Sequence, residues 1–144
     1  MIIKLLPVQV PSFWNDIKYA VEKVTELNDI GLQKYLTRLL TNLLSEKAFC
    51  LVRLDNERRL EGIFILRIAR YEMTDEKALI IDCMYSLKRA PNKEYKEMVD
   101  KFYDLAKSLD CKYLTAWTEN ARVMELCNLV GFKETFRLYT KKVL

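Results

Sequence analysis

The stretch Asn120-Ala121-Arg122-Val123-Met124-Glu125-Leu126-Cys127-Asn128-Leu129-Val130-Gly131-Phe132 decides how the chain is read. Asn120 is a side chain that accepts hydrogen bonds from the free amides of a helix start, and a short helix follows from about Ala121 to Val130. Gly131 fits the left-handed position just past its end. Phe132 is the apolar residue that folds back onto the helix. A helix marked at both ends is a fixed point, and the rest of the chain can be placed from it.

Going backwards, Lys112 to Thr118 reads as a strand. Before it, Tyr95, Met98, Val99, Phe102, Leu105, Ala106 and Leu109 recur at helical spacing, with Lys, Glu and Asp on the opposite face. Asn92 is placed as the cap of that helix, after a loop from Lys88 to Asn92. Lys77 to Leu87 is largely apolar, as expected of a central strand covered on both faces. Leu60 to Tyr71 and Ala48 to Leu54 read as strands separated by polar turns at Asp55–Arg59 and Glu72–Glu76. Leu32, Leu36, Leu39, Leu40, Leu43 and Leu44 mark a helix. Phe13, Ile17, Val21 and Val24 mark another, with Ser12 as its cap and a break at Asn28-Asp29. Ile2 to Leu6 is a short strand ended by Pro7 and Pro11. Going forwards, Lys133 to Val143 is expected to be a final strand. The order is β-α-α-β-β-β-α-β-α-β, which predicts a mixed, mostly antiparallel sheet flanked by helices, in one α/β domain covering residues 1–144.

Composition narrows the function. The chain has 144 residues, 51% of them hydrophobic, and no histidine, which excludes Ser-His-Asp and Cys-His catalysis and histidine metal sites within it. Three scattered glycines, Gly31, Gly62 and Gly131, exclude glycine-rich phosphate loops. The net charge of +4 comes from basic residues interleaved with acids, as in Lys93-Glu94 and Lys96-Glu97, which argues against a nucleic-acid track. Arg53, Arg58, Arg59, Arg67 and Arg70 read as scattered strand-edge charge. Cys50, Cys83, Cys111 and Cys127 lack metal-ligand spacing and read as free thiols of a reducing compartment. Met1 to Pro7 is too short and interrupted for a signal peptide, and no apolar run reaches membrane-spanning length. A cytoplasmic protein without a metal is the expectation.

The element order, with the Asn120-to-Phe132 segment, resembles the GNAT superfamily of N-acetyltransferases. By motif the resemblance covers mainly residues 79 to 132, and by element order nearly the whole chain. It implies a single-domain GNAT-like (acyl-CoA N-acyltransferase) fold that moves an acyl group from acetyl-CoA to an amine acceptor, small molecule or protein. It also implies that backbone groups around Met84, Tyr85 and Ser86 pair with the pantetheine arm. The loop and helix start, with Arg89, Asn92 and Lys93, would hold the diphosphate, and Asn120 would reach the cofactor arm. Asp82, the acid within the run Ala78 to Leu87, would accept the amine proton. A structural pairing with Arg67 or Arg70 competes for the same carboxylate.

Three features depart from the family pattern. The loop Lys88-Arg89-Ala90-Pro91-Asn92 has no glycine, and Pro91 removes an amide donor. Glu94 places a carboxylate in the first helical turn, where Arg89 and Lys93 would have to offset it. Cys127 stands where many members carry a tyrosine that protonates the departing thiolate. A thiol can fill that role, and equally it can be a small core residue. Tyr85, Trp117, Tyr113, Trp14 and Phe64 read as core or pocket wall, and Glu119 as an acid at the mouth of the cleft. The alternative function is a catalytically inactive GNAT-like scaffold, with the final edge strand pairing to a partner or to a second copy as a homodimer. Neither nucleic acid nor membrane is an expected partner.

Overall fold

Alternation of apolar side chains builds the sheet, and the two faces it creates collect different helices. The computed structural model describes every residue except Glu26, Glu72, Met73, Glu119 and Phe136. Its elements are β1 (Ile2–Lys4), α1 (Val10–Val24) after a 3₁₀ turn at Pro7–Gln9, α2 (Asp29–Leu44), β2 (Ala48–Leu54) and β3 (Leu60–Arg70). They continue with β4 (Lys77–Ser86), α3 (Asn92–Ser108), β5 (Tyr113–Ala116) and α4 (Ala121–Leu129). The strands lie in chain order, antiparallel from β1 to β4, and β5 pairs parallel to β4 across the α3 crossover. Among the described residues no helix is long and apolar enough to cross a membrane.

Successive strand residues point to opposite faces. Ala48, Cys50, Val52, Ile63 and Ile65 therefore share one core with Ile17, Val21, Leu36 and Leu39 of α1 and α2. Phe49, Leu51, Phe64, Leu66 and Leu79 share the other with Met98, Phe102 and Ala106 of α3. Phe64 and Phe102 meet edge-on, 5.5 Å between ring centroids. At Ile65–Leu66 the β3–β4 register slips: Cys83 faces Ile65 and Ile81 faces Leu66. Asp82 is the extra residue of that bulge.

Four expectations are corrected. Helix α1 begins at Val10, not after Ser12, because Pro11 is accepted in a first turn whose amides have no intrahelical acceptor. Asn92 is the first residue of α3 and Pro91 is its N-cap. β2 spans Ala48–Leu54 as expected, while β1, β3, β4 and β5 end one to two residues short of their expected ranges. The described residues of Lys133 to Val143 form no strand. An alternating sequence needs a ladder partner, and the described residues of this segment lie out in solvent, with Arg137 paired to Glu134 in its own chain at 2.6 Å.

Candidate functional site

Pairing between β4 and β5 stops at Ile81 and Ala116, and β4 continues from Asp82 to Ser86 with its outer edge open. The Leu87 amide donates to the Glu61 carbonyl at 2.8 Å, so Glu61 and Leu87 are a hydrogen-bonded pair. Such pairs alternate along an antiparallel ladder. Tyr85 and Cys83 therefore turn their main-chain groups to β3, and Met84 and Ser86 turn theirs to the open edge. The gap is a cleft of about 670 Å³. Asp82 and Met84 line its β4 side, Tyr95 and Val99 of α3 one wall, and Asn120, Val123 and Cys127 the other. The side chain of Tyr85 lies outside it, edge-on to Tyr19 at 5.9 Å.

α3 lines the cleft from its fourth residue, Tyr95, and its start has no side-chain cap. Pro91 offers no side-chain hydrogen bond, and its carbonyl receives the amides of Glu94 (3.0 Å) and Tyr95 (3.3 Å). Among the described residues the Asn92 and Lys93 amides have no acceptor, and they lie at the positive end of the helix dipole. Arg89, Asn92 and Lys93 are exposed around them. Two open edge residues and a donor-rich helix end suit a ligand with amide groups and an anionic tail.

The Asp82 side chain meets Arg67, Oδ2 to Nε 2.6 Å, and is 20% exposed, although the residue's backbone is open to solvent at the bulge. Burial raises its carboxyl above the ordinary aspartate range, against the opposing pull of Arg67. The same burial, helped by the Asp82 charge, pushes Tyr35 of α2 up to about 12. Of the two arginines considered in sequence, Arg67 is the partner. Arg70 turns to Asp75.

Cys127 sits in the cleft wall, half-buried, and burial raises its thiol so that it keeps its proton at neutral pH. Burial pushes Cys50 and Cys83 up to about 12, so both thiols keep their protons at neutral pH. Asn120 caps α4: its Oδ1 accepts from the Arg122 (2.9 Å) and Val123 (3.3 Å) amides. Gly131 has φ +91°, and the Phe132 amide reaches back to the Cys127 carbonyl at 2.9 Å, closing the helix as its sequence implied. Glu119 lies outside the described residues. No group of metal-binding side chains occurs among the described ones.

No family model and no curated protein sequence matches the chain. Solved structures do. A structure described as a probable acetyltransferase superposes with a TM-score of 0.76 at 15% identity, covering 100% of this chain and 98% of its own. An aminoglycoside 6'-N-acetyltransferase from Acinetobacter haemolyticus gives 0.73 at 13%, covering 99% of each chain. A predicted acetyltransferase from Clostridium acetobutylicum, solved with acetyl-CoA, gives 0.72 at 15%, covering 99% of this chain and 95% of its own. This is the GNAT acetyltransferase fold.

Within the GNAT fold, two arginines differ from the strand-edge expectation: Arg67, on β3 between β2 and β4, pairs with Asp82, and Arg53 departs further. Arg53 is not strand-edge charge. β2 lies between β1 and β3, and Arg53 is buried on the α3 side of the sheet. It binds Glu94 and the Lys88 carbonyl, both at 2.8 Å. The signal was present: alternation places Arg53 on the face of Phe49 and Leu51, a lone charge at an inward position.

Proposed function

We propose that the chain is an N-acyltransferase that moves an acyl group, most simply acetyl, from coenzyme A to an amine acceptor, small molecule or protein. The observation that carries this reading is the open β4 edge, in a cleft that α3 lines from Tyr95 onward, just past an uncapped helix start. The bound donor supplies a thioester carbon that an amine can attack. Main-chain groups of Met84 and Ser86 pair with the pantetheine arm. Tyr85 serves only to hold its neighbours in strand register. The Asn92 and Lys93 amides, with the Arg89 and Lys93 side chains, hold the diphosphate. Asn120 keeps α4 in place as the cleft wall.

The new N–C bond forms as the C–S bond breaks. The amine proton goes to Asp82, whose raised carboxyl is a better base than a solvated aspartate. Cys127, or a water beside it, returns a proton to the departing sulfur. Holding the amine against the thioester supplies much of the rate.

Calorimetric titration with acetyl-CoA, and coenzyme A in parallel, tests the reading. Micromolar one-to-one binding supports it, and no binding at millimolar donor removes it and leaves the inactive scaffold. Given binding, Asp82→Asn should lower turnover by about 10²- to 10⁴-fold with donor affinity unchanged. Full activity would take Asp82 out of the mechanism. The acid limb of the pH profile should report Asp82 losing its proton. Because Arg67 favours the charged carboxylate, Arg67→Leu should move that limb to higher pH. A shift to lower pH, or none, would assign the limb to another group.

A further inference from the structure

Arg53 is the single charged side chain buried among the described residues, at 5% exposure. Nη1 donates to Glu94 Oε2 at 2.8 Å and Nη2 to the Lys88 carbonyl at 2.8 Å. Nε lies 3.6 Å from Glu61 Oε2 and has no hydrogen bond of its own. Burying a guanidinium costs several kcal/mol, and a well-packed aliphatic side chain is often at least as stabilising. Stability is therefore a weak account of this residue.

Its partners suggest another. Glu94 is the third residue of α3, where a glutamate ordinarily reaches back to the N-cap amide. Here the N-cap is Pro91, which has no N–H, so that bond cannot form. Left alone, the carboxylate would sit over the Asn92 and Lys93 amides and repel an anion. Arg53 draws it away. Glu94 and Glu97 line a separate hollow with Arg53 and Glu61, whereas Tyr95 and Val99, on the other side of α3, line the cleft. The Lys88 carbonyl fixes the preceding loop to the same guanidinium.

We infer that Arg53 is a positioning residue for the donor's diphosphate: it clamps Glu94 on the far side of α3 and keeps the helix start open to an anion. The inference rests on the proposed use of the cleft for coenzyme A.

The test is calorimetric titration of the full chain with coenzyme A and with S-acetylpantetheine, which lacks the diphosphate. Arg53→Met should weaken coenzyme A binding by about five- to tenfold, the scale of one like charge a few ångströms away in solvent. It should leave S-acetylpantetheine binding unchanged. Glu94→Gln alone should not weaken coenzyme A, and Arg53→Met with Glu94→Gln should recover most of the loss. Arg53→Lys, which keeps the charge and loses the fork, covers the case in which Arg53→Met does not fold. It should show a smaller loss with the same recovery.

Coenzyme A affinity unaffected by either Arg53 variant overturns the inference. So does a loss that Glu94→Gln does not repair, or one that extends equally to S-acetylpantetheine, since Arg53 would then merely hold the fold. Wild type that binds neither probe overturns the proposed function itself, and the clamp with it. Wild type that binds with silent Arg53 variants overturns the clamp alone.

Discussion

The two helices that border the cleft begin in opposite ways. At α4, Asn120 Oδ1 accepts the Arg122 and Val123 amides, and Thr118 Oγ1 accepts the amide of Asn120 itself. The Arg122, Val123 and Met124 amides of that end are thus satisfied within the chain. At α3, Pro91 can neither cap with a side chain nor donate from its backbone, and the nearby carboxylate is held off by Arg53. Its Glu94 and Tyr95 amides go to the Pro91 carbonyl, and those of Asn92 and Lys93 are kept. A capped helix start closes a wall, while an uncapped one costs stability and leaves an anion site. The glycine-free loop, which in sequence looks like a damaged phosphate site, is better understood as a different way of keeping amides open.

The largest effect is expected from making α3 begin like α4. Pro91→Asp introduces a side-chain acceptor where backbone φ is −62° and ψ is 156°, angles an aspartate cap adopts without strain. It should consume one or two open amides and add a negative charge beside the diphosphate. Coenzyme A affinity should fall by about ten- to a hundredfold, or ~1.4 to 2.8 kcal/mol, while thermal stability rises. Calorimetry with thermal unfolding checks both. Unchanged affinity would show that the diphosphate lies elsewhere.

The reverse change, at Asn120, should act on stability and not on binding. Asn120→Ala leaves the Arg122 and Val123 amides without their acceptor and should cost about 1 kcal/mol of unfolding free energy. Coenzyme A affinity should hold within about twofold, below half a kcal/mol. A loss beyond tenfold would show that Asn120 also touches the donor, as the family resemblance implies.

These two helix starts also show what sequence makes legible. The α4 signals are local: the Asn120 cap, the left-handed Gly131 and the returning Phe132 amide lie within Asn120–Phe132 and close the helix at both ends, while the Phe132 side chain packs on the α3-side core. The apolar runs of β2, β3 and β4 were equally plain, because burial on both faces imposes them. The α3 start was not. Asn92 is a good cap by type, but Pro91 takes the position with fixed φ and an acceptor carbonyl. Arg53 was harder still, since its burial is set by a contact 41 residues away. The expected final strand fails for the same reason: alternation in Lys133–Val143 is local, whereas a ladder is not. Asp82 could be found as the acid in an apolar run, but the bulge that turns it toward Arg67 depends on register with β3.

The smallest expected effect sharpens the comparison most. Asn120→Gly removes the same side-chain acceptor as Asn120→Ala, yet glycine caps lose only a few tenths of a kcal/mol relative to asparagine. Without a Cβ, water can reach the freed Arg122 and Val123 amides. If Asn120 serves α4 alone, unfolding should therefore rank wild type just above Asn120→Gly, with Asn120→Ala clearly lower, and coenzyme A affinity should be level across all three. If Asn120 also served the cleft, both substitutions would lose that contact alike, and affinity would fall equally in glycine and alanine. Stability that separates the two variants while affinity does not would establish that α4 spends its helix start on the fold, and that the anion site belongs to α3.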